Sequence, residues 1–152
     1  MLFLLLANLA YSYTRLDFNH RYVWDTKPQI VLCDDAKAKK EDVELAMKFW
    51  KQNMFGMHDK IVSKPCKKTH RKGEIRITGQ RDLDTKKYYA FTMRDISSIE
   101  ISAATILIED AQSNNLKLII HELGHALGVN HTDNDDSHIM HKHVVDNHTR
   151  LN

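Results

Sequence analysis

The chain has 152 residues, of which 42% are hydrophobic and 28% are charged, and its formal net charge is +2. This length and composition fit one folded domain with a modest core and argue against global disorder. The small net charge argues against a dominant role in binding nucleic acids or membranes.

The first twelve residues have the composition of a secretory signal. The run Leu2–Leu9 is almost wholly apolar, and small residues follow it. It is too short to span a bilayer, which takes about 20 apolar residues, so no stable membrane anchor is expected here. Because no Lys or Arg precedes the run, a buried N-terminal strand is the alternative. We therefore predict a signal peptide over 1–12, a single domain over 13–152 and a secreted protein.

The two cysteines, Cys33 and Cys66, favour a disulfide if the protein is secreted. A bridge closing this loop would stabilise the fold by about 3–4 kcal/mol. In a reducing compartment, two buried thiols are the alternative. Neither cysteine has the spacing to a histidine that a metal site needs, so neither is assigned as a ligand.

One helix is predicted in the first third of the chain. The apolar run Gln29–Cys33 follows a proline and predicts a strand. Asp34 or Asp35 could cap the helix that comes next. Apolar residues then recur at helical spacing and predict its buried face: Val43, Met47, Trp50 and Met54.

Three more strands are predicted before the last helix. "GEIRITG" alternates between polar and apolar residues, and Tyr88–Arg94 is a second candidate strand. "SIEISAATILIED" is also typical of a strand, with a shift of its apolar set near Ala103–Ala104 that indicates a bulge or a bend. The order strand, helix, strands, helix predicts a mixed α/β layer arrangement.

The last predicted helix lies in "QSNNLKLIIHELGHALG". Ser113, Asn114 or Asn115 can cap its start, and Gly128 can end it. Four leucine and isoleucine residues form a stripe that should face the core, with His121 and His125 on the opposite side. The stripe consists of Leu116, Ile120, Leu123 and Leu127.

"HELGHALGVNH" has the spacing of a catalytic zinc site. His121 and His125 are four residues apart, so on a helix both imidazoles can reach one zinc ion. Glu122 can approach the metal without binding it and accept a proton from a metal-bound water. Gly128 permits a turn that brings His131 back as the third ligand. Three imidazoles leave one coordination position for water, as in a catalytic site. The alternatives to a catalytic site are a chance match and a structural metal site.

These eleven residues match HExxHxxGxxH, the signature of the metzincin clan of zinc endopeptidases. The sequence most closely resembles the matrixins of that clan, because Met140 follows His131 by nine residues and Thr132 stands where matrixins have serine. "VELAMKFWKQ", "GEIRI", "AFT" and "AATILIED" resemble further matrixin segments. The resemblance covers roughly residues 24 to 141.

The resemblance implies an α+β zincin-like domain with a twisted, mixed, five-stranded sheet, an active-site helix and a first helix packed on it. It implies a monomeric zinc-dependent metalloendopeptidase with Glu122 as the general base. A protein or peptide substrate would lie along the edge strand at Ala90, Phe91 and Thr92. Met140 would form an apolar floor under the metal without binding it. The implied zinc ligands are His121, His125 and His131.

The sequence also departs from the matrixins. The sequence shows no cysteine-switch motif, and "QRDLDTKK" lacks the histidines that hold a second zinc, so one Zn²⁺ is predicted. His141–Lys142 replaces the usual Tyr-Pro, which puts the pocket beside the metal in doubt. Three acids, Asp133, Asp135 and Asp136, could bind Ca²⁺ through oxygen ligands, with a solvated turn as the alternative.

Two rival functions are compatible with these patterns. One is a catalytically silent, metzincin-shaped binding or attachment module, against which the intact Glu122 argues. The other is a polyanion binder that uses the six Lys and Arg residues between Lys60 and Lys72. That run contains no aromatic residue for base stacking, so a solvated loop is the preferred interpretation and no nucleic-acid partner is predicted.

Overall fold

The structure, a computed structural model, describes residues 18–19, 21–67, 70–80, 89–133 and 136–142, so the predicted signal segment at 1–12 lies outside it. Neither described helix is long and apolar enough to cross a membrane. The elements are β1 (Val23–Trp24), β2 (Gln29–Cys33), α1 (Lys40–Gln52), β3 (Val62–Lys64), β4 (Glu74–Gln80), β5 (Ala90–Ser97), β6 (Glu100–Glu109), a 3₁₀ turn (Asp110–Gln112) and α2 (Leu116–Ala126).

The strands form one mixed sheet in the order β1-β6-β4-β2-β3. The strand β5 lies off this path and pairs with β6. All pairs are parallel except β5 with β6, which is antiparallel. The described sheet has six strands, so the predicted count of five is wrong. Two of the six strands, β1 and β3, were not among those predicted, and the two residues of β1 pair with Glu100 and Ile101 at the start of β6.

The strand β6 carries the irregularity that was predicted near Ala103–Ala104, in its pairing with the edge strand β5. Asp95 faces Ala103 and the next residue, Ile96, faces Ile101, so Ser102 is an extra residue in β6. Such an insertion bends a strand and increases its twist. The predicted Tyr88–Arg94 strand begins at Ala90 and continues to Ser97, while Tyr88 lies outside the described residues.

The two helices pack against each other through an aromatic anchor. Trp50 of α1 is fully buried, and its indole N–H donates a hydrogen bond of 2.8 Å to the carbonyl of Ile120 in α2. A buried indole that satisfies its one donor in this way contributes a large apolar area without a polar penalty. The buried residues that join the helices to the sheet include Ile30, Val43, Met47, Ile75, Ile77, Ile106, Ile119 and Leu123.

The start of α1 differs from the prediction. Its N-cap is Lys39, and no side chain caps it. Asp35 is instead drawn to the sheet, because its carboxylate accepts a hydrogen bond of 2.7 Å from the Thr78 hydroxyl of β4. A cap must sit directly before the first turn, and here a turn at Cys33–Ala36 separates the aspartates from the helix.

The end of α1 is a Schellman motif. The Phe55 N–H bonds to the Trp50 carbonyl and the Met54 N–H bonds to the Lys51 carbonyl, both at 3.0 Å. The rings of Phe55 and Trp50 meet edge to face at 5.1 Å, which is the hydrophobic contact that accompanies this motif. Met54 has φ +72° and is 77% exposed, so it does not belong to the buried face that its spacing predicted.

The loop between β3 and β4 is tied to the sheet by a disulfide and by ion pairs. Cys33 and Cys66 are bonded, with their Cα atoms 5.3 Å apart, which confirms the predicted bridge. Glu74 accepts hydrogen bonds from Lys64 at 2.6 Å and from Arg76 at 2.8 Å. Burial would raise the pKa of Glu74, but these two donors hold it below its ordinary value of 4.5.

Met54→Gly should stabilise the protein by about 0.5–1 kcal/mol, because glycine adopts a positive φ without the clash that an L side chain meets. Urea denaturation would show a higher midpoint at an unchanged slope. Leu45→Gly, at a half-exposed position inside α1, is the matched control and should cost about 1 kcal/mol. An equal loss in both variants would contradict the strain at Met54.

Glu74→Gln should lower the free energy of unfolding at pH 7 by about 2 kcal/mol, since two charge-assisted hydrogen bonds weaken. The folded-state pKa is depressed, so this contribution is present above the unfolded pKa and is lost as pH falls through and below 4.5. Urea titrations from pH 7 to pH 3 should therefore show the gap between the two proteins closing. Glu44→Gln, on the exposed face of α1, should show no such gap.

Candidate metal centre

The helix α2 begins at a side-chain cap and is buried on nearly all sides. The Asn115 side chain accepts a hydrogen bond of 3.2 Å from the Leu118 N–H, so the third of the three predicted caps is the one used. His121 and Glu122 are 3% and 5% exposed, so the side of the helix predicted to lie opposite the core stripe is buried as well. The residues buried against the core are Leu118, Ile119, Leu123 and Ala126, whereas Leu116 and Ile120 are only partly buried.

Gly128 ends the helix and reverses the chain. Its φ is +102°, and a Cβ added there would overlap the carbonyl of Tyr22. Two constraints therefore require glycine at this position: the backbone conformation and the close approach of a neighbouring segment. The reversal is closed by the Val129 N–H, which bonds to the Gly124 carbonyl at 2.9 Å.

That neighbouring segment, residues 18–19 and 21–24, lies across the end of α2. The Trp24 indole N–H donates to the Ala126 carbonyl at 2.9 Å. Beyond the helix, the Asn130 N–H donates to the Asn19 carbonyl at 2.7 Å. The first of these bonds occupies a carbonyl that the helix end leaves without an intrahelical partner. The segment thus holds the stretch of chain that leads to His131.

His121, His125 and His131 converge on one point. Their Nε2 atoms are 3.1 Å apart between His121 and His125, 3.0 Å between His125 and His131, and 3.3 Å between His121 and His131. With zinc–nitrogen distances of about 2.0–2.1 Å, these separations correspond to N–Zn–N angles of about 100°, close to tetrahedral. They form the one group of three metal-ligating side chains found in the described part of the chain.

The chemistry of the donors also fits a cation. His121 Nδ1 lies 2.7 Å from the Ile139 carbonyl, and His125 Nδ1 lies 2.9 Å from the Val129 carbonyl. A carbonyl only accepts, so both Nδ1 atoms carry the proton and both Nε2 atoms present lone pairs. Two lone pairs 3.1 Å apart repel each other, and a cation between them removes that repulsion.

The imidazoles are held in the neutral form that binds metal. Burial lowers the pKa of His121 to about 4 and that of His125 to about 3. Burial also lowers the pKa of His131, the most exposed of the three. The ligands therefore need not lose a proton at neutral pH before they bind a cation.

Glu122 follows the first imidazole and is enclosed by the edge strand. The Thr92 hydroxyl donates to Glu122 Oε2 at 2.6 Å and lies 3.1 Å from the Glu122 carbonyl oxygen. Burial raises the pKa of this carboxyl group to about 7, although the bond from Thr92 acts in the opposite direction. A carboxyl group that titrates near neutral pH suits a general base.

Met140 is fully buried and packs close to the helix α2 at Gly124. A Cβ on Gly124 of α2 would overlap the rings of Trp50 and the Met140 sulfur, so the helix approaches both because this residue has no side chain. The His141 N–H bonds to the His138 carbonyl at 2.9 Å and closes the turn around the methionine. Sequence reasoning missed Gly124, although a glycine inside a helix costs about 1 kcal/mol and signals such a contact.

The edge strand β5 reaches the helix through alternate side chains. Ala90 is buried, while Phe91 and Thr92 are partly buried. Arg94 donates to the His125 carbonyl at 3.1 Å, and its guanidinium lies 5.0 Å from the centre of the Tyr22 ring. The contacts of Thr92 and Arg94 with α2 were not predicted, because no periodicity in the sequence shows which helix a strand will face.

The acids after His131 are engaged by basic residues. Asp133 lies 3.1 Å from the Lys142 ammonium, and Asp136 lies 3.1 Å from His141 Nε2. These contacts favour the solvated turn over a calcium site. Asp135 lies outside the described residues, and so do two further histidines of the tail, His143 and His148.

Comparison with known proteins gave one finding. A sequence profile described as Matrixin matches residues 23–152, which is more than half of the chain. No match was found among curated proteins.

Zinc should raise the midpoint of thermal unfolding, because an ion that binds only the folded state stabilises it by about 2.7 kcal/mol at 100 times its Kd. For a chain of this size, that corresponds to an increase of about 5–10 °C. His131→Ala, which removes an exposed ligand, should lose at least half of the increase. His58→Ala, at an exposed histidine outside the group, should keep all of it, and an equal increase in all three proteins would contradict the site.

Proposed function

The chain belongs to the Matrixin family, and on that basis we propose that it is a zinc-dependent metalloendopeptidase. The observation that carries the proposal is the triangle of three Nε2 atoms separated by 3.0–3.3 Å, two of which present lone pairs. A site with three protein ligands leaves a position for water, as a catalytic zinc site requires. In this proposal His121, His125 and His131 hold a single Zn²⁺.

Bound zinc would lower the pKa of its water and polarise the scissile carbonyl. Glu122 would take the proton from that water and later deliver it to the leaving amine. The contacts support this assignment, because Thr92 occupies one carboxylate oxygen of Glu122. Met140 would form an apolar floor under the metal without acting as a ligand, and its complete burial against α2 supports this role.

The substrate would add a strand to the free side of β5, meaning the side on which no described strand lies. Paired residues in an antiparallel ladder alternate between bonded and non-bonded positions. The Glu109 N–H donates to the Tyr89 carbonyl, so Phe91 and Met93 occupy bonded positions facing β6. Ala90, Thr92 and Arg94 therefore direct their backbone N–H and C=O groups toward the free side. A peptide would pair with Ala90 and Thr92, with Phe91 between them bonded to β6.

We further propose that the protein is a secreted monomer with one domain over 13–152. The disulfide Cys33–Cys66 supports secretion, because such bonds persist in oxidising compartments. The signal segment at 1–12 remains a prediction from the sequence.

The basic run between Lys60 and Lys72 offers little support for a polyanion-binding function. Lys64 is bonded to Glu74, and Arg71 lies 3.8 Å from the same carboxylate. Lys72 lies 3.9 Å from Asp25. Neighbouring carboxylates that neutralise a cationic run weaken its attraction for phosphates.

Purified protein should cleave a mixed, denatured protein substrate, and a zinc chelator should abolish the cleavage. Glu122→Gln should retain one zinc per chain and the wild-type fold but lower kcat at least about 100-fold, since general-base catalysis contributes that much. Cleavage is measured from peptide fragments by mass spectrometry. Glu44→Gln provides a carboxylate control far from the imidazoles and should cleave normally.

Two outcomes would contradict the proposal in different ways. Wild-type turnover by Glu122→Gln would contradict the role of the base. A protein that contains one zinc per chain and cleaves nothing would favour the catalytically silent binding module.

A further inference from the structure

We propose that Thr92 is a positioning residue for Glu122 and that it sets the orientation of the base from the same strand that pairs with the substrate. This inference rests on the proposed function. It assigns the orientation of the base to one side chain of the edge strand, a role that neither the metal ligands nor Met140 can fill.

The contact between Thr92 and Glu122 has the geometry of a charge-assisted hydrogen bond. The hydroxyl oxygen lies 2.6 Å from Oε2, within the range of an O–H group that donates to an ionised carboxylate. The alternative acceptor, the Glu122 carbonyl, is farther away at 3.1 Å. A hydroxyl has one proton, so the shorter bond to the carboxylate takes it.

The burial of Glu122 makes the hydrogen bond from Thr92 important. The residue is 5% exposed, and a buried carboxylate needs donors in place of the water it has lost. Because Thr92 holds Oε2, rotation of the carboxyl group is restricted and Oε1 is the oxygen left for the proton transfer. A glutamate side chain has three rotatable bonds, so this restriction removes orientations that would carry the base away from the imidazoles.

The backbone of Thr92 links the base to the substrate strand. Its N–H and C=O groups point to the free side of β5, while its side chain points to α2. A peptide that pairs with this residue therefore lies in fixed register with the carboxylate that must act on it. Peptide binding and base orientation thus depend on one residue, whose hydroxyl contributes to the chemical step and whose backbone contributes to binding.

The test uses Thr92→Val, which keeps the shape and removes the hydroxyl, and Thr92→Ser, which restores the hydroxyl. Thr92→Val should lower kcat about tenfold, as loss of a hydrogen bond to a charged group predicts, while KM stays within about twofold. Thr92→Ser should recover kcat to within about threefold of wild type. The matched control is Thr105→Val on β6. The Thr105 hydroxyl lies 2.8 Å from His70 Nδ1, and its removal should leave kcat and KM unchanged.

A second measurement does not require turnover. Acetohydroxamic acid binds zinc as its anion, and its proton passes to a base beside the metal. Calorimetry on zinc-loaded protein should show its Kd weakened about fivefold by Thr92→Val. In a Glu122→Gln background the same substitution should change the Kd by less than about twofold, because the two residues act through one contact.

The outcomes separate this inference from the proposed function. Wild-type kcat in Thr92→Val, or equal weakening of hydroxamate binding with and without Glu122, would overturn the role of Thr92 while the peptidase stands. A fall in kcat that Thr92→Ser does not restore would assign Thr92 a merely structural role. If the wild type binds zinc and cleaves nothing, the peptidase fails and the hydroxamate series still decides on Thr92. A protein that takes up no zinc would overturn both.

Discussion

Two hydrogen bonds from imidazoles to backbone carbonyls determine what this site can do. They join His121 to Ile139 and His125 to Val129, and so bind the helix α2 to the methionine turn and to the reversal after Gly128. Each bond selects a tautomer, and the selected tautomer directs a lone pair toward the common point. The same two bonds therefore determine the position of the chain and the electronic character of the ligands. Loss of either carbonyl would free a ring to rotate and to change tautomer.

The rest of the fold keeps these imidazoles and carbonyls in position. Trp50 anchors α1 to α2, and Gly124 lets both the indole and Met140 approach the helix. Close-packed contacts of this kind tolerate little change in volume. The sheet contributes differently, because its edge strand β5 is the element that contacts Glu122 and His125 from the side. The core thus keeps the site rigid, and the edge strand forms the side of the site.

The sequence was sufficient to predict the convergence of three imidazoles but not their enclosure. His121, Glu122, His125 and His131 followed from spacing alone, because helix geometry and one glycine determine where their side chains can go. The strand Gln29–Cys33 and the helix cap at Asn115 followed from local rules. The first turn of α1 was misplaced, because a tertiary bond from Thr78 to Asp35 outweighs the capping preference of aspartate. The strand β1 and the Thr92 contact depend on partners many residues away, and no local pattern records such partners.

The segment that crosses the end of α2 has a kinetic consequence. Trp24 and Ala126 are 102 residues apart in the chain, so their bond closes one of the longest loops of the fold. Contacts of such sequence separation form slowly, because the entropy of loop closure is lost before they yield any energy. The stretch of chain that leads to His131 is tied to the same segment, so we expect the three imidazoles to come together late in folding. A nascent or partly folded chain would then carry separate histidines and no assembled centre.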